Sequence, residues 1–416
     1  VQATTINEAM KLAAVRAIAA LAREATSDIA ARAYGGEAQT FGATSLIPNP
    51  FDPRLILRIA PAVAEAAMIT GVAKKPLIDI EAYREDLSRF VFRSGFLMKP
   101  LFAKAKADPK RVVYAEGEDE RVLRAAQVAL EEGLAVPILI GRPSVVEARI
   151  ARFGLTIRPG VDFELINPED DPRYRDYVQT YLDIAGRRGI TPEAARSLVR
   201  TNNTVIAALA VVRGEADAMI TGLEGRFLSR LRHIRDIIGL EPGVSDIAAM
   251  TLIITSKGAF FLTDTHVKHD PTAEEIADMT VLAAGHVERF GIEPKIALLS
   301  HSDFGAADTP SSMKMRKALG LIRERAPDLE CDGEMEADSA LVAAIRDRVL
   351  PSSRLKGVAN VLVFPNLDAA NIAYQFAKVL GDALPVGPIL IGAAKPVHIL
   401  TGSGTSRGVV NMTAVA

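Results

Sequence analysis

Residues 400–416 read LTGSGTSRGVVNMTAVA. Thr401, Ser403 and Thr405 place three hydroxyls two residues apart among glycines, a pattern suited to cradling phosphate or carbonyl oxygens. The first six residues carry no acid, base or cation, and Arg407 is the first charge. A second candidate is GLEGRFLSRLRHIRD (222–236), where Arg226, Arg230, Arg232 and Arg235 follow an apolar strand run. Guanidinium forks fit phosphate oxygens, although a solvated helix face would show the same charges. LSHSDFGA (299–306) sets Ser300 and Ser302 at a strand end beside His301, Asp303 and Gly305, and an ordinary capped turn would look alike. FPNLDAANIAY (364–374) offers Asn366, Asp368 and Asn371, for which a helix cap is sufficient. DTHVKHD (264–270) gathers Asp264, His266, His269 and Asp270, the densest set of possible metal ligands. Strand alternation puts Asp264 and His266 on one face, but His269 falls in the turn before Pro271, which is not the geometry of a helical ligand pair.

These loops need elements to hold them. Short apolar runs at 111–116, 135–141, 216–222, 295–302, 360–366 and 387–393 have the length of buried parallel strands. Helical periods lie between them. In 118–132, Val122, Ala125, Ala126, Ala129 and Leu130 share a face, and in 272–290, Thr272 with Glu275 makes a capping box. Strand–helix alternation predicts a doubly wound, mainly parallel α/β sheet, with ligands at the carboxyl ends of the strands. Residues 250–267 read as a hairpin closed at Ser256-Lys257-Gly258, making the sheet mixed there. Before residue 110 the pattern is helical only: 5–34, then 54–72 after an Asp52-Pro53 start, then a helix within 74–90.

Composition excludes several classes. The 416 residues call for two or three domains; 49% are hydrophobic and 24% charged, as in globular chains. A net charge of −2 gives no sign of a nucleic-acid or membrane-surface partner. The single Cys331 cannot form an internal disulfide, which fits a reducing cytoplasm, and no apolar run reaches spanning length. There is no dinucleotide glycine fingerprint, Walker motif, nucleophile elbow or zinc-protease helix. The opening Val1, inside an amphipathic pattern, suggests a fragment of something longer.

Taken in order, NNTVIAALAVVRGEADAMITG (202–222), KIALLSHSDFGA (295–306), DGEMEADSAL (332–341), VFPNLDAANIAY (363–374) and GPILIGAAKPVHIL (387–400) resemble the phosphate acetyltransferases (phosphotransacetylases) from about residue 100 to the end. Residues 3–22 and 46–77 resemble the closing helices of bacterial malic enzymes. The combination is similar to the two-module NADP-dependent malic enzymes. The resemblance implies malic-enzyme helices and linker over 1–95, one phosphotransacetylase-like subdomain over 96–243 plus 388–416, and another over 244–387.

Active phosphotransacetylases end in a pattern like LSRGCSxxDI, whose Ser and Arg contact acetyl phosphate and whose Asp is the proposed base for the coenzyme thiol. Laid on Leu400, it puts Thr401 at the Ser, Gly402 at the Arg and Gly408 at the Asp, so the cation and the base are gone. A thiol with a pKa of about 8.5 benefits from a base, and a departing phosphate from a cation. The resemblance places Arg232 at a coenzyme-holding position. It implies no catalytic residue here, no metal, and acetyl-CoA as an effector held by Arg232, Ser300, Ser302, Thr401, Gly402, Ser403 and Arg407. NADP and a divalent Mg or Mn would belong to the malic module upstream. The expected role is a regulatory, oligomerising module forming a homodimer or larger assembly. The alternatives are an active phosphate acetyltransferase, using Arg407 with Asp303 or His301, and a purely structural dimerisation domain.

Overall fold

The computed structural model describes residues 1–23, 46–48, 54–91, 93–255, 257–381 and 383–416. The chain parts into two units, Val1–Phe96 and Leu97–Ala416. In the first, the helix expected over 5–34 forms as Glu8–Arg23; the rest of that stretch and the Asp52-Pro53 start lie outside the described residues. Helices Arg54–Ile69 and Ile80–Val91 follow, and among the described residues the unit holds no strand. Leu21 and Ala67 are fully buried, the Asn7 amide donates to the Thr70 hydroxyl at 2.8 Å, and Arg84 bridges Glu65 and Glu81.

The second unit carries eleven strands: β1 Lys110–Tyr114, β2 Ala135–Ile140, β3 Glu164–Ile166, β4 Ala218–Thr221, β5 Ala248–Thr255, β6 Gly258–Thr263, β7 Ile296–Leu299, β8 Cys331–Met335, β9 Val361–Val363, β10 Leu384–Ile391 and β11 Val397–Ile399. They form two sheets. The first, ordered β11-β4-β1-β2-β3, is wholly parallel. The second, β10-β5-β6-β9-β7-β8, is parallel from β6 to β8 and antiparallel across β10, β5 and β6. The hairpin expected at 250–267 is β5–β6, with Ser256 outside the described residues. β10 belongs to the second sheet along its whole length, so the subdomain boundary expected at 387/388 falls inside that strand.

Local sequence explains the helices that line the sheets. Glu120–Glu131 starts where the Asp119 side chain accepts from the Arg121 N–H, and it buries Val122, Leu123, Ala125, Ala126 and Ala129. Ala273–Arg289 opens on the complete Thr272/Glu275 capping box. Asn203–Val212 is apolar all round and buried from Thr204 to Val211, as a helix enclosed on every side must be.

Candidate functional site

The carboxyl ends of β1, β4 and β11 meet. The Leu400 N–H donates to the Thr221 carbonyl at 2.6 Å, and a Cβ on Gly222 (φ 102°) would lie 2.4 Å from the Leu400 carbonyl oxygen. Only glycine allows that approach. Under it sits Glu116, just past β1 and 9% exposed, accepting from the Thr221 hydroxyl and the Gly222 N–H at 3.0 Å each. Burial pushes its carboxyl pKa upward, while Arg230 at 3.1 Å, the Gly222 N–H and the Thr221 hydroxyl pull the other way. Arg230 also donates to the Thr204 hydroxyl and the Glu224 carbonyl.

A second guanidinium ties the outer loop down. Arg121 pairs with Asp119 at 2.7 Å and donates to the carbonyls of Gly402 (2.8 Å), Gly404 (3.1 Å) and Leu223 (3.3 Å). Thr401 and Ser403 share a hydrogen bond at 3.0 Å, and the Thr405 hydroxyl caps helix Ser406–Val415 by accepting from the Gly408 N–H. The Arg407 guanidinium lies 5.8 Å from the Phe102 ring. The result is a ridge of hydroxyls on a backbone fixed from beneath, where Arg121 and Arg230 are held by carboxylates and carbonyls and Arg407 lies over an aromatic ring. It can accept and donate hydrogen bonds to a ligand; it carries no general base.

Arg232, singled out in the sequence, is on helix Phe227–Ile237 with its side chain 84% exposed and its Asp236 partner 3.9 Å away. The arginine that turns into the strand ends is Arg230, two residues earlier. Ser300 and Ser302 follow β7 in the second sheet. The Ser302 hydroxyl donates to Glu334 at 2.9 Å, and Glu334, fully buried on β8, also accepts from the Gly305 N–H and lies 3.4 Å from Arg316 Nε. Ser300 Oγ, Glu334 Oε2 and Arg316 Nε are buried without a hydrogen-bond partner among the described residues. Asp303 accepts from the Glu336 N–H and the Ser339 hydroxyl, while among the described residues His301 reaches only the Thr309 hydroxyl, at 3.4 Å.

The 264–270 cluster does not converge. Asp264 accepts from the N–H groups of Ala249, His266, Val267 and Lys268, and burial raises its pKa against them. His266 lies near the Phe227 and Tyr374 rings, where burial lowers its pKa to about 4. Asp270 pairs with Lys314. Among the described residues no three His, Cys, Asp or Glu side chains come together as a metal site.

Residues 96–416 match the family model for phosphate acetyl/butaryl transferase. The chain belongs to that family. A solved phosphotransacetylase from Streptococcus pyogenes is 31% identical, with a TM-score of 0.73 over 77% of this chain and 98% of that one. The whole chain also aligns with the C-terminal part of malic enzymes. It is 63% identical to the NAD-dependent malic enzyme of Rhizobium meliloti over 54% of that protein, and 52% identical to the NADP-dependent malic enzyme of Escherichia coli over 55%. The chain thus spans about half the length of these curated relatives. Within the phosphate acetyl/butaryl transferase fold, Glu116 and Arg121 are the site-forming residues that sequence reasoning passed over, while Arg230 was read only as one of four arginines in the 222–236 cluster. The visible signal was a carboxylate directly after a strand, in AEGEDER (115–121). No helix among the described residues is long and apolar enough to cross a membrane.

Proposed function

We propose that this chain is the regulatory and oligomerising module of a malic enzyme, binding acetyl-CoA as a feedback effector and transferring no acetyl group. One observation carries the reading. The two loop positions that resemble catalytic ones are Gly402 and Gly408; Arg121 and Arg230 are committed to Asp119, Glu116 and backbone carbonyls, and Arg407, at the start of the helix that follows the loop, lies over the Phe102 ring. Acyl transfer to a thiol would lack both its base and its free cation, each worth on the order of a hundredfold or more in rate. Coenzyme binding needs neither, because exposed arginines such as Arg232 and a ridge of hydroxyls supply phosphate and amide contacts.

The malate chemistry, its nicotinamide cofactor and its Mg or Mn ion belong to sequence preceding this chain. The relatives' names differ between NAD and NADP, and NADP is our assignment for the parent enzyme. Malate, converted to pyruvate and carbon dioxide in the cytoplasm, feeds the pool that acetyl-CoA reports on. Calorimetric titration of acetyl-CoA into the purified chain should give saturable binding, weakened roughly tenfold to a hundredfold by Arg232→Ala. Mixing acetyl phosphate with coenzyme A should give no turnover. Rates near 10 per second, an ordinary enzyme value of that order, would refute the regulatory reading, and absence of binding would leave a structural domain.

A further inference from the structure

The strand that ends at Leu400 begins beside a partly open cavity. A cavity of about 230 Å³ opens where β10 turns into β11, lined by Arg289, Lys395, His286, His398 and Glu241 together with the backbone of 392–396. It lies at the amino end of β11, roughly 10 Å of extended chain from the hydroxyl ridge at the other end. Arg289 and Lys395 are exposed at its edge, and neither forms an ion pair among the described residues. His398, 4% exposed, accepts from the Leu390 N–H on Nδ1 at 3.2 Å. An imidazole nitrogen that accepts carries no proton, so the proton of the neutral ring is on Nε2, free to donate.

We propose that this cavity is a binding site for a compact multivalent oxyanion, a phosphate or a small dicarboxylate. Two unpaired cations at the mouth supply charge-assisted hydrogen bonds, and the His398 Nε2–H supplies a neutral donor at the floor. Size selects the class. The volume far exceeds the roughly 30 Å³ taken by one water and falls below the usual range of about 300–1,000 Å³ for larger organic ligands, which favours a compact one. The other charged group of the lining is Glu241, which sets a preference for ligands that reach past it to both cations. Burial keeps both rings neutral in the empty cavity, with the His398 pKa lowered to about 3 and that of His286 to about 4. A bound anion would draw both upward, tightening its own binding as the pH falls.

The test uses the full chain and two probes, inorganic phosphate and succinate, each at constant ionic strength against sodium chloride and acetate. Calorimetry and histidine ring-proton NMR should show saturation by one or both probes, with the two buried imidazole signals moving. Saturation by phosphate alone, or by succinate alone, identifies the source of the oxyanion. Lys395→Glu and Arg289→Glu alter exposed side chains, so the fold should survive, as an unchanged melting temperature will verify, and each should weaken binding at least tenfold. Binding that persists in both variants, or no saturation by either probe at about ten times a millimolar affinity, overturns the proposal.

Discussion

The carboxyl ends of the two sheets carry polar clusters of similar composition and opposite economy. Around β1, β4 and β11, the inward-facing charges have an answering charge or carbonyl: Glu116 meets Arg230, and Asp119 meets Arg121, which in turn grips Gly402 and Gly404. Around β7 and β8, Ser300 Oγ is buried without a hydrogen-bond partner, and Glu334 Oε2 and Arg316 Nε, 3.4 Å apart, form an ion pair but no hydrogen bond among the described residues. A saturated cluster has its energy invested in holding backbone in place. An unsaturated one retains capacity for a ligand or water at a cost in stability. The difference teaches that charge density alone does not mark a functional pocket; unspent valence does.

The sharpest break of this contrast restores what the first cluster lacks. Gly402 is exposed, with its nearest neighbour 3.6 Å from a built Cβ, and Gly408 is in the first turn of helix Ser406–Val415, where an acid is welcome. Gly402→Arg with Gly408→Asp should therefore fold and raise acetyl phosphate formation by roughly a hundredfold or more over the wild-type background, measured by the release of free coenzyme A from acetyl-CoA and phosphate. No gain would mean that the loop lost its activity for reasons beyond those two groups. Next in size is Glu334→Ala, which strips partners from Ser302 and the Gly305 N–H in the core. It should cost about 3 kcal/mol in denaturant unfolding, whereas a loss below about 1 kcal/mol would show that the second cluster tolerates orphans freely.

A pH series probes the strand that bears the ridge. The pKa of His398 is held at about 3, below its ordinary value of about 6.5, so the unfolded chain takes up the proton first. Its contribution is fully present above pH 6.5 and should be lost as the pH falls towards 3, amounting to about 2 kcal/mol between pH 7 and 5. His398→Phe, which keeps the ring volume, should flatten that part of the profile. The smallest effect is expected from Arg121→Lys. A single ammonium cannot reach Gly402, Gly404 and Leu223 together, so about 1 kcal/mol should be lost and amide exchange over 401–405 should quicken. Unchanged exchange would show that the loop holds itself.

Much of the scaffold was legible because burial writes itself into apolar runs. β1, β2, β4, β7, β9 and β10 all fall within or overlap runs read from the sequence, and the Thr272/Glu275 cap stands as expected. β8 was not read as a strand. Its five residues, Cys331–Met335, are all buried yet include Asp332 and Glu334, whose charges are met by Arg323, Ser353 and Arg354 or by Ser302 and Gly305, partners that only the fold assembles. β3 (ELI) and β11 (VHI) are as short as β9 (VLV) but carry a charged residue or a histidine, so they form no comparable apolar run. At the site, the hydroxyls of the last loop could be read directly, but Glu116 and Arg121 gain their roles from strands far apart in sequence, which no local pattern encodes.

β11 has one more consequence, for the order in which the molecule is made. Met219 of β4 pairs with Val397 of β11, and all six strands of the second sheet are translated between them. On a ribosome, the second sheet can close while the first still presents β4 as a bare, apolar edge. Final closure then rests on three residues and a loop pinned by Arg121. The window in which that edge stands open to chaperones or misassociation is set by how late that short strand arrives.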